Sequence, residues 1–451
     1  MIVDALSAIV GAAHMFGADA VESRYLDDET NGGAGWPAGV VRPANTAELS
    51  AVLACCHSAG QPVVVQGGRT GMARGGVPQA GELILSLERL STIEAIDADT
   101  GLMTVGAGCV LQMAQNAALE AGWRLAVDIG ARGSCTIGGM IATNAGGTQV
   151  LRHGMMRDQV LGLEAVLADG TIISSMRGML KNNSGYDLKQ LFIGSEGTLG
   201  VVTRALLRLR PPAIGQQTAL CAVGDYPAAL RLLARLEKAM PAQLSAYELM
   251  WREFFEAACG SLGQDSPFDR THALVVLVET EAAEDAGLSA ALANSFEDGT
   301  MTDALIARSD RDRQRFWHYR DAIGEIARGM TIVEPFDVSA PLPVIGELVD
   351  DVRARLAAEV AGSRPVFFGH IADGNLHIAV ELPREDQRPL VEAIVYDAVR
   401  DVGGSVSAEH GIGLLKRTWL GHSRSPEEIA LMRRIRAAMD PREILNRGRI
   451  F

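Results

Sequence analysis

The feature that most limits the fold of this chain is an apolar segment that runs directly into a glycine-rich loop. Pro62-Val63-Val64-Val65 has the composition of a buried strand, and residues 67–76 then contain five glycines. Successive backbone N–H groups without side chains in the way can form a concave, anion-binding surface. The spacing fits neither a Walker A loop nor the Gly-x-Gly-x-x-Gly of a Rossmann helix. A plain glycine-rich turn is the alternative interpretation.

A second segment rich in small residues spans 128–147, with the sequence DIGARGSCTIGGMIATNAGG. It combines glycines with Ser, Thr and Asn and carries almost no charge. Because glycine lets a ligand approach the backbone closely, this segment offers many accessible backbone donors. Such a surface suits a large, flat cofactor with several functional groups better than a metal or a bare phosphate.

Two histidines flank an Asp-Gly pair in the segment PVFFGHIADGNLHIAV at 365–380. An Asp-Gly between apolar runs predicts a β-hairpin with a type I′ turn, whose two central residues both need φ > 0. With Asp373 and Gly374 in that turn, His370 lies directly opposite His377 on the same face. Two imidazoles in this arrangement can bind one metal ion. The alternative is that each is a half-buried strand residue with a hydrogen-bond partner.

A third metal ligand is available in the segment Ser407-Ala408-Glu409-His410-Gly411. Glu409 would complete a set of two histidines and one carboxylate, which leaves coordination positions open for a substrate. His410 is the adjacent residue, so its side chain is expected to point away from that of Glu409. We therefore interpret His410 as a proton acceptor and not as a fourth ligand.

Composition excludes several classes of protein. The chain has 451 residues, enough for two or three domains, and a formal charge of −14, which argues against a nucleic-acid partner or an anionic membrane surface. No apolar run is long enough for a membrane span, and the N-terminus has no basic region typical of a signal peptide. The six cysteines show no Cys-x-x-Cys spacing, which favours reduced thiols and a cytoplasmic location.

Local patterns predict an α+β protein with a domain boundary at Pro211-Pro212. Capping boxes start helices at Asn45 and Ser425, and Asp169-Gly170 turns a hairpin at 161–175. We predict domains at 1–212 and 213–420 and a C-terminal segment at 421–451. Further predicted elements are strands at 83–87, 102–106, 217–223 and 273–279 and helices at 109–121, 226–239, 282–295 and 309–329.

Five blocks, in order, carry a resemblance to a known family: VVVQGGRTG, GSCTIGGMIATNAGG, GYDLKQLFIGSEGTLGVVT, GHIADGNLH with AEHGIG, and DPREILNRGRI. Over nearly its whole length the chain resembles flavoproteins of the vanillyl-alcohol oxidase / p-cresol methylhydroxylase superfamily. Within it, the chain is similar to the branch of D-lactate dehydrogenases, glycolate oxidase large subunits and D-2-hydroxyglutarate dehydrogenases. The resemblance implies a two-subdomain FAD-binding domain of the p-cresol methylhydroxylase type, followed by an α+β, ferredoxin-like substrate domain.

The resemblance also implies a cofactor site with distinct parts. The loop around the FAD pyrophosphate would be Gly67, Gly68, Arg69, Thr70 and Gly71. The flavin and its ribityl chain would be lined by Gly133, Ser134, Thr136, Gly138, Gly139, Asn144, Gly146 and Gly147. Glu196, Gly200 and Val202 would lie near the adenine and ribose, and Asn446 would return from the C-terminus. Some members attach FAD through a His in the first loop; residues 66–76 contain none, so non-covalent FAD is expected.

For catalysis, the resemblance assigns His370, His377 and Glu409 to a zinc-like divalent metal, His410 to the role of base and Arg320 to the substrate carboxylate. A guanidinium matches a carboxylate with two parallel hydrogen bonds. The implied reaction is oxidation of a D-2-hydroxy acid to the 2-oxo acid, with hydride transfer to flavin N5. The expected electron acceptor is an electron-transfer flavoprotein or a quinone, with a cytochrome or oxygen as alternatives, and the sequence leaves a homodimer open.

Three positions depart from the pattern of members that act on 2-hydroxyglutarate. Pro335 stands where those members tend to have Lys, Ala379 where they have Asn, and Gly324 where they have Thr. These positions help to hold a dicarboxylate, so a smaller or more apolar 2-hydroxy acid fits at least as well.

Two other functions were weighed against this one. One is a non-redox flavoenzyme like the alkylglycerone-phosphate synthases, and the other is a non-catalytic flavin subunit of a larger oxidase. The complete set of His370, His377, Glu409 and His410 argues against both.

Overall fold

The computed structural model describes residues 2–33, 35–282 and 287–451 and separates them into two compact units. Unit 1 comprises Met1–Gly147, His153–Pro212 and Glu409–Phe451, of which Met1 and Ala34 lie outside the described residues. Unit 2 comprises Thr148–Arg152 and Ala213–Ala408. The chain thus leaves unit 1 after Pro212 and returns at Glu409, whereas we predicted a change of domain at 420.

Unit 1 contains two sheets around a shared hydrophobic core. The four-stranded sheet has the order Met15–Gly17, Gly39–Val41, Leu83–Ser86 and Val63–Gln66. The five-stranded sheet has the order Ile93–Asp97, Leu102–Gly106, Val201–Arg208, Val160–Val166 and Ile172–Ser175, and its strands are antiparallel. The α-helices that belong wholly to this unit are Ile2–Val10, Thr46–Ala59, Leu111–Glu120, Ile137–Thr143, Met156–Gln159, Lys189–Phe192 and Pro426–Met439. Short 3₁₀ turns lie at Ala12–His14, Ala18–Ala20, Ser23–Tyr25 and Arg417–His422, and the helix Val150–His153 runs across the 152/153 division.

Unit 2 is built on one antiparallel seven-stranded sheet. The strand order is Asp303–Ile306, Gln217–Val223, Leu274–Thr280, Leu244–Trp251, Arg364–His370, Asn375–Glu381 and Val333–Ser339. Its α-helices are Tyr226–Ala239, Arg252–Leu262, Leu288–Glu297, Asp310–Arg320, Ile323–Arg328, Ile345–Glu359 and Arg388–Asp401. Short 3₁₀ turns lie at Leu342–Val344, Ile371–Asp373 and Glu385–Gln387. Helices 252–262, 310–320 and 323–328 pack on one sheet face, around a core that includes Phe254, Phe316 and Phe368.

Local sequence signals account for most helix ends. The Asn45 side chain accepts a hydrogen bond from the Glu48 backbone at 2.9 Å, and Gly60 ends the same helix at φ 66°. Ser425 and Glu428 form the second predicted capping box. These contacts satisfy backbone groups that a helix end leaves without partners. The capping box at Ser425 is confirmed, whereas at Asn45 only the N-cap contact is present, because the Glu48 carboxylate accepts from the Ala44 backbone at 2.8 Å and not from that of Asn45.

The hairpin that carries the two histidines differs from its prediction. A 3₁₀ turn spans Ile371–Asp373, and Gly374 has φ 85° while Asp373 does not have positive φ. The turn is therefore not type I′, because that turn needs positive φ at both central residues. The longer turn shifts the register by two residues, so Phe368 and not His370 lies opposite His377.

Two predicted helices also differ from the structure. The segment 309–329 forms two helices, Asp310–Arg320 and Ile323–Arg328, because the chain turns at Asp321 and Ala322. This turn lets Phe316, Tyr319 and Ile326 all reach the same core. The helix predicted at 282–295 begins at Leu288, and residues 283–286 lie outside the described part of the chain.

The C-terminal segment joins the first sheet of unit 1 beside the glycine-rich loop. Val63 N–H donates to the Ile444 carbonyl at 2.7 Å, and Asn446 N–H donates to the Val63 carbonyl at 2.8 Å. Arg449 is fully buried and pairs with Glu82, with Nη2 2.8 Å from Oε2. Arg449 also donates to the carbonyls of Gly75 and Val77, so the end of the chain supports the loop at 67–76.

Replacement of Arg449 is expected to destabilise the protein strongly. Arg449→Met leaves the Glu82 carboxylate buried without its cation, which typically costs about 3–5 kcal/mol in the free energy of unfolding. The double variant Arg449→Met/Glu82→Gln removes both charges and should be more stable than the single variant. Arg442→Met is the control, because its exposed side chain contacts carbonyls of His57 and Ser58 and should change stability by about 0.5 kcal/mol or less. Urea denaturation measures all three; equal losses for Arg449→Met and Arg442→Met would contradict this account.

Candidate active site

A cavity of about 390 Å³ lies in unit 1 beside the glycine-rich loop. A Cβ atom on Gly68 would stand 2.0 Å from the Ser134 carbonyl oxygen, and one on Gly67 would stand 2.4 Å from Thr136 Oγ1. Neither position has room for a side chain. Glycine here lets the strand Val63–Gln66 end against the second small-residue segment, with the backbone of both facing the cavity.

Most of the predicted cofactor residues lie around this cavity or a smaller one of about 60 Å³ beside it. The larger cavity is lined by Gly67, Gly68, Arg69, Thr70, Gly71, Thr136, Gly139, Gly146, Glu196 and Asn446. The smaller one is lined by Gly138, Gly200 and Val202, together with Gly67, Gly139, Glu196 and Asn446 from the larger.

Four predicted cofactor residues line neither cavity: Gly133, Ser134, Asn144 and Gly147. Asn144 ends the helix Ile137–Thr143 in a left-handed conformation and accepts from the Arg157 backbone at 2.9 Å. Ser134 contributes the carbonyl against which Gly68 packs. In the structure, Asn144 and Ser134 therefore contact other protein groups and support residues of the cavity wall.

Sequence reasoning missed several residues of the cavity wall, including Asp27 and Asp28. Asp28 holds the glycine-rich loop, because its Oδ2 accepts from the Arg74 backbone at 3.1 Å. Asp28 lies 46 residues before Arg74, in a stretch without a periodic pattern. No local signal connects such a residue to the loop.

Glu196 connects three parts of the cavity wall that are distant in sequence. Its carboxylate accepts from the backbone N–H groups of Ile412 and Gly413, both at 2.7 Å, and its carbonyl accepts from Asn446 Nδ2 at 2.6 Å. The residue adopts φ 51°, a strained conformation for a residue with a side chain. Burial raises the pKa of Glu196, and the two N–H donors oppose that effect.

Glu409 and His410 also line the larger cavity. Glu409 Oε1 accepts from the Gly147 backbone at 2.7 Å. Gly147 itself does not line the cavity, but it holds a residue that does. The chain then turns through Gly411 at φ 78° and Gly413 at φ 52°, and Glu196 binds the backbone between them. The candidate base is therefore held between two anchored points, at Glu409 and at residues 412–413.

A buried polar cluster in unit 2 contains His370, Arg320 and Glu248. Glu248 lies directly opposite His370 on the neighbouring strand and is 1% exposed. Its Oε1 is 2.7 Å from His370 Nδ1, and its Oε2 is 2.8 Å from Arg320 Nε. Burial opposes ionisation of Glu248, but the neighbouring His370 and Arg320 outweigh it and lower its pKa to about 2.

Arg320 ends the helix Asp310–Arg320 and is buried with Phe316 and Tyr319 on the same helix face. Its guanidinium lies over the Phe368 ring at 5.3 Å, and its Nη2 is 3.0 Å from His370 Nε2. A buried guanidinium paired through Nε retains an Nη edge that can bind a carboxylate. These three side chains are buried, so this face of the helix is turned to the core and not to solvent.

His370 and His377 are close together despite the shifted register. Their ring centroids are 5.3 Å apart, and one nitrogen atom of each ring lies within 4.8 Å of the other. Asp337, 1% exposed, lies opposite His377 with Oδ1 3.7 Å from its Nδ1, and Asn375 Nδ2 donates to the same oxygen at 2.8 Å. Each histidine thus has a buried carboxylate on its Nδ1 side, an arrangement typical of metal-binding histidines.

The strand positions next to His377 on its face of the sheet are apolar. Pro335 and Ala379 are directly opposed on neighbouring strands, and Val366 lies opposite Ala379 on the other side. Ala379 and Val366 belong to the core under helices 310–320 and 323–328. The departures noted at Pro335 and Ala379 are therefore neighbours in space.

Two family profiles match the chain. The FAD binding domain profile matches residues 37–175, and the profile of the C-terminal domain of FAD linked oxidases matches residues 215–450. The region matched at 37–175 contains the glycine-rich loop and the small-residue segment at 128–147. The region matched at 215–450 contains His370, His377, Glu409 and His410. Among the described residues, no helix is long and apolar enough to cross a membrane.

Gly68→Ala is expected to abolish flavin binding, because its Cβ would overlap the Ser134 carbonyl oxygen. Gly133→Ala is the matched control: Gly133 is exposed, lines neither cavity and has no atom within 4 Å of a built Cβ. The ratio of flavin to protein absorbance in the purified variants measures the effect. Full flavin content in Gly68→Ala would show that the loop does not approach the cofactor.

Curated relatives match most of the chain. A D-2-hydroxyglutarate dehydrogenase of Xanthomonas citri pv. viticola is 38% identical over 92% of this chain and 89% of its own length. A putative mitochondrial D-lactate dehydrogenase of Schizosaccharomyces pombe is 35% identical over 90% of this chain and 80% of its own. The structure of p-cresol methylhydroxylase shares the fold, with a TM-score of 0.80 and 15% identity over 100% of this chain and 96% of that one. The chain therefore belongs to the FAD-linked oxidase family, in its branch of FAD-dependent 2-hydroxy-acid dehydrogenases.

Proposed function

We propose that the protein oxidises a D-2-hydroxy acid to the corresponding 2-oxo acid. The observation that carries this proposal is the buried cluster in unit 2, where Arg320 lies beside His370 and both contact the carboxylate of Glu248. A cation for the substrate carboxylate next to metal-binding imidazoles suits an α-hydroxy acid, whose hydroxyl and carboxylate are on adjacent carbons. The relatives named as D-2-hydroxyglutarate and D-lactate dehydrogenases support the same reaction.

The FAD would be held without a covalent bond. FAD supplies the redox chemistry by accepting a hydride from the substrate carbon. A large cofactor fits the close backbone approach at Gly67 and Gly68. It also fits the cavity wall, to which several segments between Asp27 and Asn446 contribute. Residues 66–76 contain no His that could attach it.

His370, His377 and Glu409 would bind a divalent metal, and zinc fits this ligand set best. The nitrogen atoms of the two rings are close enough to share an ion, and carboxylates lie on the Nδ1 side of both. Glu409 follows Ala408, whose N–H donates to the Asp337 carbonyl at 3.3 Å, and Asp337 lies opposite His377. A metal in such a site lowers the pKa of a bound hydroxyl.

His410 would accept the proton of the substrate hydroxyl. The residue lines the cofactor cavity, and its backbone neighbours are fixed by Gly147 and Glu196. A neutral imidazole close to pH 7 is well suited to this role. Arg320 would bind the substrate carboxylate and thereby fix the orientation of the neighbouring carbon, which carries the hydroxyl.

The substrate would be a D-2-hydroxy acid with a short or apolar side chain, such as D-lactate. The side chains of Pro335, Ala379 and Val366, at the strand positions next to His377, have no polar group that could bind a second carboxylate. D-2-Hydroxyglutarate is the second candidate, because several relatives carry that name at 36–38% identity.

The electrons would pass to a separate acceptor, for which an electron-transfer flavoprotein or a quinone is our proposal. A homodimer and a cytoplasmic location stay predictions, and the name of the Schizosaccharomyces pombe relative assigns that protein to mitochondria.

A dye-reduction assay tests the function. Purified protein is mixed with D- and L-lactate and D- and L-2-hydroxyglutarate, and the rate is followed with an artificial acceptor. We expect oxidation of the D-isomers, D-lactate with the higher kcat/KM, and acid precipitation should release the flavin into the supernatant. A faster rate with L-isomers, or no rate with any 2-hydroxy acid, would overturn the proposal; a preference for D-2-hydroxyglutarate would overturn the substrate assignment only.

Glu409 and His410 are expected to fail differently when replaced. Glu409→Ala and His377→Ala each remove a metal ligand, so both should lose metal and activity while they keep FAD. His410→Ala should keep metal and FAD but reduce flavin more slowly, by about 10²–10⁴-fold, the usual contribution of a general base. Metal analysis and single-turnover flavin reduction measure these effects. Loss of metal from His410→Ala, or a normal reduction rate, would assign the base to another residue.

A further inference from the structure

We infer that Glu248 is a positioning residue that aligns a metal ligand and the substrate-binding arginine at the same time. The inference rests on the proposed function, and it concerns a residue that lies 122 positions from His370 in sequence and 72 from Arg320. All three side chains belong to unit 2, and all are at least nine-tenths buried.

The first argument is geometric. Glu248 is the cross-strand neighbour of His370, and each of its oxygen atoms has a different partner: Oε1 lies 2.7 Å from His370 Nδ1, and Oε2 lies 2.8 Å from Arg320 Nε. The strand register therefore fixes the carboxylate, and the carboxylate fixes both partners.

The second argument concerns which proton each partner carries. An ionised carboxylate accepts hydrogen bonds and donates none, so the partner nitrogen of His370 must be the protonated one. Nε2 is then the nitrogen that carries the lone pair, and in this structure it lies 3.0 Å from Arg320 Nη2. Glu248 thus holds His370 in the tautomer that can bind a metal through Nε2.

The third argument concerns Arg320. Its guanidinium donates to Glu248 through Nε, so the edge formed by Nη1 and Nη2 points away from Glu248; Nη2 lies 3.0 Å from His370 Nε2, and Nη1 lies 3.5 Å from Asp321 Oδ1. Glu248 sets the rotation of this edge, and the Phe368 ring lies against its face at 5.3 Å. A substrate carboxylate bound by that edge would lie beside His370 Nε2.

A second buried carboxylate in unit 2 provides the matched control. Glu279 is 1% exposed and lies on the next strand, where it accepts from Arg313 and Trp317 of the same helix at 3.2 and 2.8 Å and from Thr218 at 2.9 Å. It resembles Glu248 in burial and in pairing with that helix, but its partners include no histidine. Effects of losing a buried charge alone should therefore appear in both positions.

Substitution by glutamine makes the prediction specific. A glutamine at 248 has one acceptor oxygen and one NH₂ donor, whereas both partners of Glu248 are donors. One of two changes must follow: either Arg320 loses its alignment, or His370 takes the other tautomer and its Nε2 becomes protonated. Each change affects ligand binding without removing any ligand atom.

The experiment compares Glu248→Gln with Glu279→Gln and the wild type as holoproteins. Zn²⁺ affinity is measured by competition with a chelating dye, and oxalate binding by calorimetry. We expect Glu248→Gln to bind Zn²⁺ about 10–100-fold more weakly, the usual effect of removing a partner of a metal-bound histidine, and oxalate about tenfold or more weakly. Its KM for D-lactate should rise, and Glu279→Gln should match the wild type in all three measurements.

Equal Zn²⁺ and oxalate affinities in Glu248→Gln and the wild type would overturn the inference, and so would equal losses in both glutamine variants. If Glu248→Gln does not fold because Arg320 is left without its counter-charge, Arg320→Gln is compared with Glu248→Gln/Arg320→Gln. The double variant should still bind Zn²⁺ about 10–100-fold more weakly than Arg320→Gln, and equal affinities overturn the inference. A wild type that binds no Zn²⁺ refutes the metal site of the proposed function, and the oxalate comparison then decides the role of Glu248.

Discussion

The contacts of Glu196 are the interaction on which the wall of the larger cavity depends. One residue in a strained conformation binds the backbone at 412–413 through its carboxylate and Asn446 through its carbonyl. Asn446 in turn accepts from the Val65 backbone at 2.9 Å, at the start of the glycine-rich loop. A single side chain and its own peptide group therefore fix the loop beside His410, the C-terminal segment and the strand that leads into the cavity. Strain of this kind persists where the surrounding contacts determine the conformation, which is common at functional sites.

Much of the fold could be predicted from local signals. The capped helices at 46–59 and 426–439, the helix at 226–239 and the strand at 217–223 follow from capping residues and hydrophobic periodicity alone. The hairpin shows where such signals stop. Asp373-Gly374 predicted the turn but not its length, and the 3₁₀ turn at 371–373 moved the register by two residues. His370 and His377 still meet, because a shift of two residues keeps a side chain on the same face of a strand.

The parts of the candidate site that lie in a sequence motif could be predicted, whereas the parts that depend on tertiary packing could not. The glycines at 67 and 68 indicate a close approach of the backbone, and in the structure these residues pack closely against Thr136 and Ser134. Glu248 had a weaker signal, a single carboxylate in the strand LSAYELMW, in which every residue is buried. Its importance could not be inferred because its partners come from another strand and from a helix, and their distances in sequence carry no pattern. Gly133 belongs to the small-residue segment at 128–147 but lines neither of the two cavities, so its cofactor role stays a prediction.

The order in which the chain visits its two units has a consequence for synthesis. Unit 2 is nearly continuous, from Ala213 to Ala408 with the short segment Thr148–Arg152, whereas unit 1 is complete only when Glu409–Phe451 has been made. Domains generally fold as units while the chain emerges from the ribosome. The wall of the larger cavity includes Glu409, His410 and Asn446, which are made after the whole of unit 2. A flavin bound in this cavity would therefore be loaded only after unit 2 has been made, and a nascent chain that stalls before residue 409 would carry a complete unit 2 and an unfinished unit 1.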